Sequence, residues 1–425
     1  MDCRENDREK VIIAGLHTGS RDYINDTTEE SMKELAELVD TAGGDVVGEM
    51  VQNRPLPDSG TYFGEGKLGE LKDAVDSLDA TLVVFDDELS PVQLRNINDI
   101  LGVRVLDRSM LILDIFAMRA RSGEGKLQVE LAQLKYQLPR LRGMGLELSR
   151  MGGGIGTRGP GETKLETDRR HIRTRIAALE EQIREIKKHR GLLRSRRSKD
   201  GVITAAIVGY TNAGKSTLLN RLTDAGVFAE DKLFATLDTT SRAITLEDNR
   251  KIILIDTVGF IRKLPHYLVE AFKSTLEEAA EADFLIHVTD ASSPDADMHI
   301  KVVGDVLKDL GAQSKPVINV YNKCDVAVDF VPPVSEGTDV FISAKTGKGI
   351  DGLFGAIADT APGRKREHTF LIPYSDGAIL STLHSSEKVL SEEYTDKGTK
   401  VRVLVDDAVF GGLKKYLLTE CDDDV

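Results

Sequence analysis

Hydrophobic positions along the chain fall into successive rhythms. Short solid apolar runs alternate with longer amphipathic stretches through the N-terminal part: Val11–Ala14, Thr28–Ala42, Leu68–Leu78, Leu82–Phe85, Ser90–Leu101 and Val103–Leu106. Solid runs suit strands covered on both faces, and the stretches with apolar residues every three or four positions suit helices. Residues 1–110 are therefore expected to form a small α/β domain with a largely parallel sheet. A heptad rhythm follows. Leu127, Leu131, Leu134, Leu138 and Leu141 repeat at four and three, as do Ile172, Ile176, Leu179, Ile183 and Ile186, with Leu193 one heptad further. Two such stripes predict an antiparallel helical hairpin over 111–199, each helix covering the other. At about 1.5–3 kcal/mol per buried branched side chain, the stripes suffice to hold it.

Beyond residue 200 the solid runs return, as Ile203–Val208, Ile252–Ile255, Val317–Val320 and Val340–Ile342, within a domain expected over 200–362. The last part, 363–425, alternates Thr369–Ile372 and Lys400–Val405 as strands with helices expected at Gly377–Leu383 and Ala408–Leu418. This is the pattern of a small α+β module, with the Asp422–Asp424 tail expected to be disordered. The fold class predicted is α/β: a P-loop domain preceded by a small α/β domain with a long helical hairpin and followed by a small α+β domain.

The name P-loop comes from what ends the first of those later runs. Gly209, Tyr210, Thr211, Asn212, Ala213, Gly214, Lys215 and Ser216 fit GxxxxGK(S/T), and Thr217 continues into a helix. Gly209 and Gly214 let the backbone turn its N–H groups onto phosphate, Lys215 brings a point charge, and Ser216 offers a hydroxyl to Mg²⁺. Asp256, Thr257, Val258 and Gly259 follow the next run, placing a carboxylate near the metal's water shell and an N–H near a γ-phosphate. Asn322, Lys323, Cys324 and Asp325 form an NKxD motif, in which Asp325 can accept from guanine N1–H and its 2-amino group. Adenine lacks those donors, and a site left with an unmatched buried carboxylate discriminates by as much as about 10⁴-fold. Ser343, Ala344 and Lys345 would complete the base pocket with backbone contacts. Four motifs in this order point to GTP and GDP, with Mg²⁺.

Phe234, Ala235, Thr236, Leu237 and Asp238 are the candidate first switch, with Thr236 as the expected Mg²⁺ ligand beside Ser216 and Asp256, and Thr239 and Thr240 as weaker choices. The second switch would run from Phe260 to Tyr267. Ras carries its water-orienting glutamine where Phe260 stands, and a phenyl ring cannot do that work. Catalysis is assigned to Lys215, Thr236, Gly259 and Asn212, the last through an amide oxygen suited to holding K⁺ beside the phosphates.

Between the two heptad stripes lies the glycine-rich loop Met151–Lys164, with five glycines before Pro160. Arg169, Arg170, Arg173 and Arg175 follow, then a run from Lys187 to Lys199 that contains no acid. Glu180, Glu181 and Glu185 can pair with Arg184 and its neighbours, but not with that run. On a chain of formal net charge −14 this is a local basic stripe suited to nucleic-acid phosphate. The segment Tyr62–Lys67 suggests either a second phosphate loop or a turn before a helix. Cys3, Cys324 and Cys421 have no disulfide or metal spacing, no apolar run reaches the length of a membrane span, and the N-terminus lacks a signal core, so a cytoplasmic monomer is expected.

The run GGIGTRGPGETKLETDRR, together with GYTNAGKST, FATLD, DTVGF and NKCD, resembles the HflX family of ribosome-associated GTPases over nearly the whole chain. That resemblance implies binding to the large ribosomal subunit and its RNA rather than DNA, hydrolysis stimulated there, and splitting or rescue of stalled or idle ribosomes under stress. It implies that Gly209–Ser216 and Thr236 hold phosphate and Mg²⁺, that Asp256 and Gly259 sense the γ-phosphate, and that Asn322, Asp325 and Ser343 hold guanine. The chain departs from the family at Thr239, where proline is usual. Two other readings stay open: a GTPase timer acting on a protein partner, and nucleotide-driven RNA remodelling or ribosome assembly with a second nucleotide site near Lys67.

Overall fold

The computed structural model describes residues 8–19, 28–141, 160–199, 202–223, 233–234, 240–263, 268, 278–327, 331–332, 337–363 and 365–418. The first unit is a four-stranded parallel sheet of order β2-β1-β3-β4, built from β1 (Glu9–His17), β2 (Gly44–Asn53), β3 (Leu82–Phe85) and β4 (Arg104–Asp107). The strands' period of two divides the core. Ile12, Ala14 and Val83 face helices α2 (Glu65–Leu78) and α3 (Pro91–Leu101), whereas Val11, Ile13 and Val84 face α1 (Thr28–Thr41) and α4 (Arg108–Arg119). α3 starts with a capping box in which Ser90 accepts from Gln93 N, and Pro91 stands at its first position. β2 was not expected. It is an edge strand with a single buried residue, Gly44, so it carries little of the apolar signal that marked β1 and β3.

Tyr62 and Phe63 belong to this core, packed with Phe85, and Lys67 holds Glu70 at 2.8 Å one turn further along α2. Tyr62–Lys67 is thus the lead-in to a helix whose Gly64 stands at the N-cap.

α5 (Gly123–Arg140) and the 40-residue α6 (Pro160–Lys199) lie against one another. Leu131 and Leu179 are buried in that contact, and Ile172, Ile176, Ile183 and Ile186 are half-buried beside exposed neighbours, so the heptad stripe is the contact line. α5 also has a second apolar face: Val129, Ala132 and Tyr136 join the core beneath α4, and the Tyr136 hydroxyl donates to buried Asp107 at 2.7 Å. Asp107 in turn caps α4 by accepting from Met110 N, 2.9 Å away. Residues 151–159 of the glycine-rich loop and the side chain of Leu193 lie outside the described residues, while Pro160–Lys164, expected in the loop, open the backbone of α6.

The second sheet has six strands in the order β10-β9-β8-β5-β7-β6: β5 (Ile203–Gly209), β6 (Thr240–Thr245), β7 (Lys251–Asp256), β8 (Phe284–Asp290), β9 (Val317–Asn322) and β10 (Thr338–Phe341). Only β6 runs antiparallel. Helices α7 (Lys215–Thr223), α8 (Ala296–Asp309) and α9 (Ile350–Thr360) cover it.

The last unit is an antiparallel sheet of order β11-β13-β12, from β11 (Arg366–Ile372), β12 (Lys388–Thr395) and β13 (Gly398–Val405), backed by α10 (Gly377–Ser386) and α11 (Asp407–Leu413). The expected helix Ala408–Leu418 is shorter than its apolar pattern suggested. It passes Gly411 and Gly412 and stops at Leu413, after which Leu417 bridges Phe370 and Leu418 N donates to Thr369 O at 2.9 Å. Residues 419–425, including the acidic tail, lie outside the described residues.

Candidate functional site

The six-stranded sheet delivers its functional residues to the carboxyl ends of β5, β7, β8 and β9, where an open α/β sheet binds its ligand. Gly209 leaves β5 with φ +155°, and a Cβ there would sit 2.2 Å from Val288 O; at Gly214, φ +90°, it would sit 2.3 Å from the Asn322 side-chain nitrogen. Only glycine serves at either position. Asn212 adopts φ +60°, a left-handed conformation that asparagine tolerates.

Lys215 opens α7, with its ammonium donating to Gly209 O at 3.1 Å and Tyr210 O at 2.7 Å. Burial draws its pKa down to about 8, opposed by the charge of Asp256. The same buried place, with Lys215 adding, holds the His287 imidazole neutral with a pKa of about 4. Ser216 Oγ donates to Asp256 Oδ2 at 2.7 Å, and Asp256 is fully buried. Two hard oxygens within a hydrogen bond of each other at the foot of a phosphate loop are a donor set that suits Mg²⁺. Elsewhere, no group of three metal-ligating side chains occurs among the described residues.

The chain after Asp256 is stitched to the phosphate loop. Thr257 Oγ1 donates to Ile207 O at 2.8 Å, Phe260 N to Gly209 O at 3.2 Å, and Thr211 N to Phe260 O at 2.8 Å, making a parallel bridge between Tyr210 and Phe260. A Cβ on Gly259 would meet Thr211 Cγ2 at 2.8 Å and Lys215 Nζ at 3.0 Å. The Phe260 ring lies in the core with Ala206, Val208 and Leu285, so this position anchors the segment and has no role with water.

At the base end, Asn322 spans two loops: its amide nitrogen donates to Ala213 O at 2.9 Å and its oxygen accepts from Ala344 N at 2.9 Å. Lys323, at φ +64°, reaches Asp290 at 2.7 Å. Cys324 N donates to Ile342 O at 3.1 Å, and burial raises the thiol pKa. The Ser343 hydroxyl holds the exposed Asp325 carboxyl below its usual range. The structure thus gathers the phosphate loop, Asp256 and Gly259 at one end and Asn322, Asp325 and Ser343 at the other. Ala235, Thr236, Leu237, Asp238 and Thr239 lie outside the described residues, and Phe234 packs its ring on Phe116 of α4, centroids 4.7 Å apart.

Sequence reasoning missed the N-terminal domain's share of this site. The Tyr210 hydroxyl donates to Glu34 of α1 and accepts from Arg262 N at 2.8 Å, while its ring stacks on His299 at 3.8 Å. Burial pushes the Tyr210 pKa up to about 12 and His299 down to about 4. Arg262 meets Asp295 at 3.0 Å and lies 3.6 and 3.8 Å from Glu30 and Glu34. Lys263 reaches Asp86 at 2.6 Å and Asp87 at 2.7 Å. Asp86 also takes Arg108 at 2.6 Å and the Ser31 hydroxyl at 2.6 Å, while Arg108 pairs with Glu34 as well; burial raises the Asp86 pKa against these partners. Asp86 and Asp87 leave β3 where the order β2-β1-β3 reverses direction, the usual binding crevice of such a sheet, but that order was not legible in a sequence whose β2 was not expected.

The basic helix is partly neutralised by acids distant in sequence. Arg175 grips Glu130 of α5 with two bonds of 2.7 and 2.8 Å, whereas Arg184 pairs within the helix with Glu181, one turn away, and Glu180 is taken by Lys135 of α5 at 2.9 Å. Arg190, inside the acid-free run, finds Glu124 at 2.8 Å and Glu278 at 3.5 Å. Local sequence therefore overstated the free charge of that run, while Arg170, Arg173 and Lys188 are exposed.

Family models described as "GTP-binding GTPase N-terminal", "GTP-binding GTPase Middle Region" and "50S ribosome-binding GTPase" match residues 29–117, 119–197 and 204–323. The chain is 51% identical to a GTPase HflX of Caldanaerobacter subterraneus subsp. tengcongensis, over 98% of this chain and 96% of that one. It is 44% identical to GTPase HflX of Escherichia coli K12, over 92% of each. A crystal structure of a GTP-binding protein from Sulfolobus solfataricus in complex with GDP is 26% identical, covering 83% of this chain and 98% of that one with a TM-score of 0.43. No helix among the described residues is long and apolar enough to cross a membrane. On matches that span nearly its whole length, the chain belongs to the HflX family of GTPases.

Proposed function

We propose that this GTPase acts on the large ribosomal subunit, splitting or rescuing stalled or idle ribosomes under stress, with the bound nucleotide deciding whether it docks. The observation that carries this is the pairing of a guanine nucleotide site with an exposed basic helix on an acidic chain: Arg170, Arg173 and Lys188 are exposed on α6 and suit RNA phosphate. The description "50S ribosome-binding GTPase" of the matched family model agrees.

In the chemistry proposed, Lys215 and the amides of Gly209–Ser216 cradle the phosphates, and Gly259 offers its N–H to the γ-phosphate. Ser216 and Asp256, with Thr236, would hold Mg²⁺, which when bound neutralises charge on the β- and γ-phosphate oxygens. Asn322, Asp325 and Ser343 would bind guanine. Because Phe260 is core, the attacking water takes its orientation from elsewhere. Asn212, with its left-handed backbone in the phosphate loop, is the residue suited to hold K⁺ there. Equal hydrolysis rates in K⁺ and Na⁺ would remove that role.

Cosedimentation with separated ribosomal subunits tests the reading. Pelleting with the large subunit is expected with a non-hydrolysable GTP analogue and not with GDP, and GTP turnover should rise by orders of magnitude on adding that subunit. Pelleting that ignores the nucleotide, or turnover that ignores the subunit, overturns it and favours a timer acting on another protein.

A further inference from the structure

We propose that Arg221, which none of the GTPase motifs includes, is a positioning residue for guanine recognition and acts through the backbone of Ser343-Ala344-Lys345. The inference rests on the reading that this loop meets the base.

Arg221 stands on the last turn of α7, the helix that begins at the phosphate loop. Its guanidinium closes on two consecutive carbonyls of the base loop: Nε donates to Ala344 O at 3.0 Å and Nη2 to Lys345 O. A planar fork matched to two acceptors fixes orientation as well as distance, which an ammonium cannot do. The rest of the loop leaves little slack. Gly347 N donates to Ser343 O at 2.8 Å, Ser343 N to Lys348 O at 2.9 Å, and Thr346 N to Ser343 Oγ at 3.2 Å. Gly347 turns with φ +90° beside the guanidinium, where an added Cβ would lie 3.9 Å from Arg221 Cζ.

In a trans peptide the carbonyl and the following N–H point in opposite directions. Arg221 holds Ala344 O toward α7, so the Lys345 N–H faces away from it. With Ala344 N held by Asn322, the geometry assigns the Lys345 N–H as donor to the 6-oxo group of the purine. The pocket would then divide its work. Asp325 reads N1–H and the 2-amino group, and the loop held by Arg221 reads the 6-oxo group.

Three nucleotides separate these duties. GDP and IDP share the 6-oxo group, IDP lacks the 2-amino group, and ADP carries an amine in place of the oxygen. For Arg221→Gln, competition binding should give GDP and IDP affinities lowered together by about tenfold, the scale of one well-made hydrogen bond, with the GDP-to-IDP ratio and ADP affinity unchanged. KM for GTP should rise at constant kcat. Arg221→Lys, which keeps the charge and loses the fork, should fall between wild type and Arg221→Gln. GDP affinity within twofold of wild type, an equal loss for ADP, or a changed GDP-to-IDP ratio overturns the proposal. Asp325→Asn is the separate control on the base-site reading: if it leaves the GDP-to-IDP ratio intact, that reading fails, whatever Arg221 does.

Discussion

The two ends of the nucleotide site draw on different amounts of the chain. At the base end, every partner found for Asn322, Lys323, Cys324 and Ser343 belongs to the six-stranded domain. The phosphate end is shared: Tyr210, Arg262 and Lys263 are held by Glu30, Glu34, Asp86 and Asp87 of the N-terminal domain, and Val258, Ile261 and Phe234 enter the same apolar core as Val11, Met32 and Phe116. Base identity does not change through a hydrolysis cycle, so a rigid, self-contained pocket suffices. In the chemistry proposed, the γ-phosphate comes and goes, and the end that would sense it is the one wired to a neighbouring domain. Coupling of this kind requires that both partners bias one movable element. In the function proposed, that element would be the segment from Thr257 to Lys263, bonded on one side to the phosphate loop and on the other to α1 and to the residues that follow β3.

The largest effect expected from breaking the contrast lies at the base end. Asp325→Asn should lower GDP affinity by about a thousandfold, the scale for a site that loses its matched polar partner, and leave the unfolding transition of the N-terminal domain where it was. A shift in that transition, followed by calorimetry, would mean that the base end is not self-contained.

Next comes Arg108→Met at the shared end. It strips a buried cation from Asp86 and Glu34 together. Loss of one partner from a buried ion network costs about 3–5 kcal/mol, so denaturant unfolding should move substantially while the GDP-to-IDP ratio stays constant. A loss below about 1 kcal/mol would show that the network is solvated and not a clamp.

Third is a pH effect confined to the phosphate end. Burial depresses Lys215 to about 8, and an anionic phosphate restores the charged form. The empty site therefore loses its proton as pH rises through 8, and binding must take one up. GDP affinity should fall by up to about tenfold per unit above that pH, with proton uptake visible in calorimetry in two buffers of different ionisation enthalpy. By the same sign, this lysine favours the folded, empty protein as pH climbs from about 8 toward its unfolded pKa. A flat affinity between pH 8 and 9.5 would contradict this.

The smallest effect is Tyr210→Phe, which keeps the ring on His299 and removes the hydroxyl that joins Glu34 to Arg262 N. About 1 kcal/mol of stability is expected to go, and a cycle with Glu34→Gln should be non-additive by at least about 0.5 kcal/mol. Strict additivity would separate the phosphate loop from the N-terminal domain.

Legibility in the sequence followed the same division. The strands that carry motifs, β5, β7 and β9, were plain because both their faces are covered and their ends must present glycine, aspartate or asparagine at fixed steps. β2, β6 and β12 escaped because edge strands bury little: β6 keeps only Ile244 inside. β8 escaped for another reason, since it is central and buried but its apolar run is broken by His287 and Thr289, both of which lie inside. The guanine and phosphate residues were legible because their chemistry acts within a few positions of one another. Glu34 and Tyr210 are 176 positions apart and Asp86 and Lys263 are 177 apart, and the local sequence around each gives no sign of its partner. Only the fold brings them together. The second apolar face of α5 was hidden in a similar way, since Val129, Ala132 and Tyr136 interleave with a heptad that already accounts for the helix.

Lys263 occupies the mouth of the N-terminal sheet, between Asp86 and Asp87, where a free-standing domain of this kind would receive a ligand. The chain is thus its own tenant there. Any cationic group that sought admission to that crevice would first have to evict a residue three positions beyond Phe260, so vacancy in one domain and slack in the other are a single event seen from two sides.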